Sequence, residues 1–395
     1  MKKRILFSVL CSISVLSGCK TVAPEKPETP YDRPLPPGQH ALRKITDPQE
    51  IPDFTMACLD LAGLQTAIGY SINYLQKPSS QQYYPIGEIT HSTALESLKA
   101  FSEMLDSGLM GAQLDQAIRQ KFDVYISIGC DDQGTVLFTG YYTPIFPGSF
   151  TRTERFRYPL YEQPDDLVKG PDGMILGRRL PDGQVGPYPS RAIIEDSRML
   201  EGKELVWLSD PFEAYIAHVQ GTAKLRLPNG ELTTVGYAAN NGHEYNSVAQ
   251  ELVKDGKIPA DRISLAAMIN YFKRYQDQVG TYVRRNARFV FFQKEDGPPR
   301  GCLNEPVTAY RSIATDKSIF PRGSLTFITT NLPRAIGGRV TNQIYSGFAL
   351  DQDAGGAIRA PGRCDVYMGE GDLAGQLAGQ TYQEGRLYYL FLKSN

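Results

Sequence analysis

The stretch 350-LDQDAGGAIRAPGRCDVYMGEGD-372 contains the pattern on which the fold depends. Asp353 precedes a Gly-Gly pair, and Asp365 follows within the alternating run from Arg363 to Tyr367. A period of two places Arg363, Asp365 and Tyr367 on one face of a strand and the apolar residues between them on the other. The pattern therefore predicts a strand that buries its apolar face and leaves Asp365 on a polar face beside an aromatic ring.

A carboxylic acid in these surroundings suits chemistry on a carbohydrate. The aromatic ring can stack on a sugar, and partial removal of Asp365 from water raises its pKa toward the range of a proton donor. An Asp flanked by Arg in a strand also fits a simple ion pair, so this pattern alone leaves a structural role open. Gly355 and Gly356 permit a tight bend before the strand, or a close approach of the backbone to a sugar.

The N-terminus predicts export from the cytoplasm. Three basic residues at 2–4 precede an apolar run at 5–16 that is too short to span a membrane, which is typical of a secretory signal peptide at 1–18. The sequence Leu-Ser-Gly-Cys ending at Cys19 resembles the lipobox of bacterial lipoproteins, which implies cleavage before Cys19 and its acylation. Lys20 stands where an inner-membrane signal carries Asp, so the resemblance implies an outer-membrane lipoprotein facing the periplasm. An ordinary signal peptide is the alternative.

Composition limits the partners. Residues 19–50 are rich in proline and predict an extended tether. The net charge of −1, without a basic block, indicates no nucleic-acid partner. The histidines and cysteines lack metal-ligand spacing, so we expect no metal and no cofactor. An oxidising periplasm permits disulfides, but the sequence leaves their pairing open, with Cys364 either a core residue or half of a disulfide. The four cysteines after the signal region are Cys58, Cys130, Cys302 and Cys364.

Helical spacing occurs on both sides of a β-rich central block. Residues 92–121, with Ser92 as N-cap, predict helix, and 247–278 predict two helices, the second capped by Asp261 or Ser264. Short alternating runs elsewhere predict strands. These runs lie at 136–142, 204–208, 214–227, 287–293, 325–330 and 387–392.

The order of these segments predicts a mainly β protein with flanking helices. One β-rich domain is expected from 51–147 together with 246–395, because helix-bearing segments lie on both sides of the central block. A smaller β-barrel domain is expected at 148–245, inserted into the first. A groove between two such domains suits a polymeric substrate.

Several motifs, in the same order along the chain, resemble the membrane-bound lytic murein transglycosylase A family. The region 306–392 resembles its 3D domain, a double-psi β-barrel named for three aspartates, which match Asp316, Asp353 and Asp365. The other motifs are FTGYYTP (138–144), PSRAIIED (189–196), HVQGTAKL (218–225), NNGHEYNS (240–247), GEGDLAGQLAG (369–379) and GRLYYL (385–390).

The resemblance implies an exo-acting lytic transglycosylase of cell-wall turnover and remodelling. Such an enzyme cleaves the MurNAc–GlcNAc β-1,4 bond of peptidoglycan without water and leaves 1,6-anhydro-MurNAc ends. Asp365 matches the family's catalytic acid, which acts first as acid and then as base, and Asp353 would support or tune it. Penicillin-binding proteins are the protein partners that the resemblance implies. Substrate-binding residues are expected at Thr139, Gly140, Tyr141, Tyr142, Gln220, Gly221, Asn241 and Asp316.

Structural roles compete with several of these assignments. Tyr141 and Tyr142 point to opposite faces of a strand, so at most one can stack on sugar from that element, and both fit a β-core. Asp316 also fits the holding of a barrel loop. Three other functions are weighed: an aspartic protease, a non-catalytic expansin-like glycan-binding lipoprotein, and a hydrolytic muramidase with Asp353 as base. The protease requires a second Asp-Thr/Ser-Gly signature, which the sequence lacks.

Overall fold

Seventeen strands are found in the computed structural model, which describes residues 30–170 and 173–393. The predicted signal peptide and Cys19 lie outside these ranges. From Tyr31 onward the chain forms one compact unit. The strands are β1 Leu42–Lys44, β2 Phe122–Ser127, β3 Val136–Thr143, β4 Ile145–Ser149, β5 Tyr158–Tyr161, β6 Leu167–Lys169, β7 Ile175–Arg179, β8 Val185–Gly186, β9 Glu204–Leu208, β10 Ala223–Arg226, β11 Leu232–Asn240, β12 Val290–Glu295, β13 Ser312–Ala314, β14 Leu325–Ile336, β15 Arg339–Asp353, β16 Arg363–Glu370 and β17 Tyr382–Leu392.

Three α-helices lie between β1 and β2, two between β8 and β10, three between β11 and β12, and one follows β16. Within the described ranges, none has both the length and the apolar character needed to cross a bilayer. They are α1 Leu64–Leu75, α2 His91–Asp106, α3 Gly111–Lys121, α4 Arg191–Ser197, α5 Pro211–Gln220, α6 Val248–Lys254, α7 Leu265–Arg274, α8 Val279–Val283 and α9 Gly371–Gly379, with short 3-10 helices at Pro48–Glu50, Ala57–Leu59, Pro78–Tyr83, Ala260–Arg262 and Gln276–Gln278.

Six strands close into the first barrel. The ring runs β3, β16, β13, β15, β14, β17 and back to β3, and its β16–β3 and β13–β15 pairs are parallel while the others are antiparallel. Apolar side chains fill it and the space under α1 and α2, where Phe54, Phe101, Phe327 and Phe348 pack together. Closure leaves these six strands without a free edge along their paired lengths, and it pairs β3 with β16 and β17 from the far C-terminal part of the chain.

The second barrel is built around six further strands. Their order is β12, β11, β10, β4, β9 and β5, and a bridge between Glu162 and Phe292 brings the end of β5 back to β12. Leu160, Val206 and Leu225 are fully buried in its core. Strand β12 pairs here although its sequence lies within 246–395. The exact domain boundaries remain a prediction.

Two helix predictions differ from the structure in detail. The segment 92–121 is not one helix but two, because α2 ends before Gly108, whose φ of 78° is left-handed and stops the helix. The N-cap is Thr90 rather than Ser92, since Thr90 Oγ1 accepts a hydrogen bond from the backbone N–H of Thr93 at 3.1 Å. For α7 the prediction of Ser264 as cap is confirmed, because its Oγ accepts from the N–H of Ala267 at 3.1 Å.

The predicted strand at 214–227 is wrong over most of its length. Asp210 caps α5 by accepting from two backbone N–H groups, Pro211 occupies its first turn, and Gly221 with φ 75° ends it. Apolar residues of this helix pack against α6, α7 and α8, so tertiary contact overrides the alternating pattern. Only Ala223–Arg226 is strand.

The last part of the predicted tether is folded. Leu42–Lys44 pairs with β2, and Ala41 and Ile45 are buried beside it. Arg33 forms an ion pair with Asp132 at 2.6 Å. Residues 31–50 therefore pack on the barrel instead of forming an extended spacer. The high proline content predicted a tether, but the segment also contains apolar side chains and a short strand.

The four cysteines in the described residues have free thiols. Cys58, Cys130 and Cys364 are buried, and Cys302 is exposed. Cys364 belongs to the apolar core of the first barrel, where burial raises the pKa of its thiol well above the usual value. Of the two roles left open for it, the structure places Cys364 in the core.

One ion pair is buried inside the first barrel. Lys317 Nζ bonds the carboxylate of Asp351, and both side chains are almost inaccessible to solvent. Asp351 also accepts from Thr315 Oγ1 at 2.8 Å and from the hydroxyl of Tyr389 at 2.8 Å. These donors compensate the charge of a carboxylate that has lost its water.

Removing the lysine should therefore unfold the barrel more readily. We expect Lys317→Met to lower the free energy of unfolding by about 3–5 kcal/mol, because Asp351 remains buried without its counter-charge. Urea denaturation measures the change. Lys99→Met is the matched control, since Lys99 pairs with Glu96 on the surface and its loss should cost less than about 1 kcal/mol. Equal effects of the two substitutions would contradict the assigned role of the buried pair.

Candidate active site

A row of four residues crosses the first barrel at Asp365. On one side Thr139 of β3 is its parallel partner, and on the other Ala314 of β13 is its antiparallel partner. Ala314 also pairs with Asp353, at the end of β15. The two aspartates are thus separated by one strand, which places their Cα atoms about 10 Å apart.

Asp365 lies half-buried and has few hydrogen-bond partners. Thr139 Oγ1 donates to Asp365 Oδ1, and Arg363 Nη2 lies 3.5 Å from the same threonine hydroxyl. Burial raises the pKa of Asp365, while the charge of Arg363 and the hydrogen bond from Thr139 act in the opposite direction without cancelling it. A carboxyl group whose pKa is raised by its surroundings can hold a proton for donation.

Asp353 is bound more firmly by the backbone. Its Oδ1 accepts from the N–H of Cys302 at 2.9 Å and from that of Ala354 at 2.8 Å. Burial raises the pKa of Asp353, and the backbone donors oppose that effect. Burial raises the pKa of the Tyr141 hydroxyl well above its usual value, and the negative charge of Asp353 raises it further. The Asp353 carboxylate therefore joins the loop that contains Cys302 to the loop that begins at Ala354, beside the Tyr141 hydroxyl.

The third aspartate of the predicted motif is engaged by hydrogen bonds within the chain. Asp316 Oδ1 accepts from the N–H and the hydroxyl of Ser318, at 3.0 and 2.6 Å, and Oδ2 accepts from the N–H of Ala360 at 3.1 Å. The side chain is buried. Both oxygens are used to fix the turn after β13 and the loop before β16, which favours the loop-holding role over substrate binding.

The two tyrosines of β3 face opposite sides, as predicted. Tyr141 lies on the face of Asp365, and its ring centroid is 5.1 Å from that of Tyr367. Tyr142 is buried, and its backbone N–H donates to Gln220 Oε1 at 3.1 Å. Of the pair, Tyr141 is the one placed to meet a ligand at Asp365.

Three further predicted binding residues have structural explanations. A side chain at Gly140 would approach the backbone of Ala378 to 2.8 Å, so the glycine allows α9 to pack on β3. Gly221 ends α5 in the left-handed conformation. Asn241 is buried, and its amide donates to the carbonyls of Pro189 and Ala287 while accepting from a backbone N–H.

Sequence reasoning missed Cys302 and the buried pair of Lys317 with Asp351. Cys302 precedes Asp353 by 51 positions; it donates its backbone N–H to Asp353 Oδ1 and its Sγ to the carbonyl of Gln352 at 3.7 Å. No local pattern could reveal that contact, because it depends on the path of a loop. Lys317 directly follows the motif aspartate Asp316. A charged residue so close to an apolar strand was the available sign of a buried ion pair.

An apolar cavity lies on the other side of β3. It has a volume of about 590 Å³ and lies between α5, α7 and α9, with Tyr142 in its wall. Glu213 lines it, and one of its carboxylate oxygens is buried without a hydrogen-bond partner in the described part of the chain. Burial raises the pKa of Glu213 to about 7, with contributions from Asp210 and Asp372 and an opposing one from Lys273. Asp365 is absent from the cavity wall, so the cavity is separate from the acid.

The comparisons with known proteins agree with this geometry. The family description "MltA specific insert domain" matches residues 137–293, and "3D domain" matches residues 311–391. Membrane-bound lytic murein transglycosylase A of Escherichia coli K12 is 29% identical over 272 residues, covering 68% of this chain and 69% of the relative. A membrane-bound lytic murein transglycosylase of Agrobacterium tumefaciens superposes with a TM-score of 0.74 at 25% identity, covering 89% of this chain and 98% of that chain. Escherichia coli MltA with bound chitohexaose superposes with a TM-score of 0.68 at 24% identity, covering 92% and 99%.

Fold and site together define a class of protein in which a double-psi β-barrel of the 3D type is combined with a second, smaller β-barrel. The predicted fold class, mainly β with flanking helices, is confirmed. The chain belongs to the membrane-bound lytic murein transglycosylase A family and carries its 3D domain.

The raised pKa of Glu213 predicts a pH-dependent stability. The folded state binds the proton more tightly than the unfolded state, so the contribution of Glu213 to stability falls as pH rises from about 4.5 to about 7. Glu213→Gln should match the unsubstituted protein at pH 4.5 and exceed its free energy of unfolding by about 2 kcal/mol at pH 8. Denaturation at both pH values measures this. Glu154→Gln, at an exposed position, should show no such pH dependence, and a constant difference for Glu213→Gln would contradict the prediction.

Proposed function

We propose that this protein is a peptidoglycan lytic transglycosylase that cleaves the MurNAc–GlcNAc β-1,4 bond and forms 1,6-anhydro-MurNAc ends. The observation that carries the proposal is the half-buried acid Asp365 on β16, whose pKa is raised by burial and which, among the described residues, accepts a hydrogen bond only from the Thr139 hydroxyl. Relatives of the family are named lytic murein transglycosylases, which supports the same substrate here.

The proposed chemistry needs one acid. Asp365 donates its proton to the glycosidic oxygen, and the bond from C1 of MurNAc to that oxygen breaks. The C6 hydroxyl of the same sugar then bonds to C1, and its proton passes to the Asp365 carboxylate. The acid is thereby regenerated without water, and the barrier falls through positioning and through stabilisation of positive charge on the sugar ring.

The surroundings of the two aspartates support different roles for them. Hydrolysis by two carboxylates needs a second group that is free to attack or to activate water. Asp353 accepts two backbone N–H groups through one oxygen and lies beside Tyr141, so its surroundings favour holding the site over reacting. Thr139 contacts Asp365 directly, which favours orientation of the acid over sugar binding as its main role.

Attachment of the protein to a membrane belongs to the same proposal. The family relatives are named membrane-bound, and the lipobox-like sequence at Cys19 is consistent with acylation. We propose an outer-membrane lipoprotein facing the periplasm, with glycan strands as substrate and penicillin-binding proteins as partners. Labelling with a radioactive fatty acid, compared with Cys19→Ala, tests the anchor.

Replacement of the acid tests the reaction. The protein lacking residues 1–19, incubated with purified peptidoglycan, should release fragments one water lighter than hydrolytic products. Asp365→Asn should reduce their rate of release by at least about 100-fold, because the amide cannot donate the proton. Mass spectrometry of the fragments measures both. Products that contain the added water would identify a muramidase instead.

Replacement of Asp353 separates the two mechanisms. Asp353→Asn should leave the anhydro products in place at a rate reduced by about tenfold, because the amide oxygen can still accept from the backbone of Cys302 and Ala354. The same mass spectrometry applies, with glycan binding measured in parallel. Loss of turnover as complete as in Asp365→Asn, with binding intact, would make Asp353 a reacting group.

A further inference from the structure

We infer that Arg288 and Arg359 form a binding subsite for a substrate carboxylate, at the glycine loop that follows Asp353. The inference rests on the proposed function, because peptidoglycan carries carboxylates on the lactyl group of MurNAc or on its peptides. This loop would then distinguish a glycan that carries carboxylates from a neutral glycan.

The glycine pair brings Arg288 against the loop. Arg288 precedes β12 of the second barrel, and a side chain at Gly356 would come within 3.0 Å of Arg288 Nε and 3.2 Å of Cζ. A side chain at 356 would crowd the guanidinium, so the glycine lets Arg288 lie against the loop backbone. Gly356 is three residues after Asp353, so this contact joins the two barrels beside the aspartate site.

Arg359 brings a second positive charge to the same loop. Its side chain is exposed, and it lies three residues after Gly356. Burial lowers the pKa of Arg288, and the charge of Arg359 lowers it further, while the nearby Tyr237 and Glu244 have the opposite effect. The two guanidinium groups thus repel each other across the junction.

Neither guanidinium has a counter-ion within the described chain. No ion pair joins Arg288 or Arg359 to a carboxylate among residues 30–170 and 173–393, and Glu244 acts on Arg288 only from beyond ion-pair distance. Arg288 uses Nη1 to donate to the carbonyl of His243 at 3.1 Å, which fixes the direction of its fork. An oriented arginine beside a second one suits the paired oxygens of a carboxylate.

Three glycans distinguish the source of the carboxylate. Binding is measured by calorimetry with the full chain in detergent, in the Asp365→Asn background so that no ligand is consumed. The ligands are chitohexaose, which has no carboxylate, a peptide-free MurNAc–GlcNAc oligosaccharide, which has lactyl carboxylates, and the same oligosaccharide with peptides.

Arg359→Ala should weaken binding of a carboxylate-bearing glycan by about tenfold or more and leave that of chitohexaose within about twofold. Loss with the peptide-free glycan assigns the subsite to the lactyl group, and loss only with the peptide-bearing glycan assigns it to a peptide carboxylate. Arg288→Lys, which keeps the charge and loses the fork, should give a smaller loss in the same direction. Arg359 is exposed, so its replacement should leave the packing of the core unchanged.

Arg226→Ala is the matched control. Arg226 is exposed and forms no ion pair in the described chain. It pairs with Leu232 at the start of β11, whereas Asn240 ends that strand, so its replacement should change none of the three affinities. Equal weakening for chitohexaose, or no weakening for any glycan, would overturn the inference. If the unsubstituted enzyme releases hydrolytic products and the carboxylate-dependent loss persists, the proposed reaction fails and the subsite stands.

Discussion

The parallel pairing of β3 with β16 is the contact on which the rest of the structure depends. It sets Thr139 beside Asp365 across 226 residues of sequence, and so builds the site from two distant segments. Strand β17 makes this possible, because its first part pairs with β3 and its second part with β14 and β2. Strand β3 also leads directly into β4 of the second barrel. The position of β3 therefore sets the closure of the first barrel, the surroundings of Asp365 and the start of the second barrel together.

The three aspartates of the motif differ in their hydrogen-bond donors. Asp316 and Asp353 accept from backbone N–H groups, which hold each carboxylate in place. Within the described residues Asp365 accepts only from the Thr139 hydroxyl. It is therefore removed from water without the backbone donors that would stabilise its charge, and this combination suits an acid that must release and regain a proton.

Alternation along the chain predicted β3, β9, β12, β14 and β17 close to their observed places, because each has one face against a core. The same signal failed at α5, where apolar residues face α6, α7 and α8, and the cap formed by Asp210 with Pro211 was the better guide. The glycines at 140, 221 and 356 were read mainly as sugar contacts or bends. Gly140 allows α9 to pack on β3, Gly221 ends α5, and Gly356 leaves space for the Arg288 side chain.

The sequence by itself determined a mainly β protein, the family motifs and the candidate acid, because side-chain alternation and motif residues are local properties. Only the tertiary structure decided that Asp365 accepts from one side-chain donor among the described residues, that Asn241 is engaged by the backbone, and that Arg288 meets the loop after Asp353. These features arise from strand register and loop path between segments far apart in the chain. Such long-range contacts leave no periodic trace in the sequence, because each partner satisfies only its own local geometry.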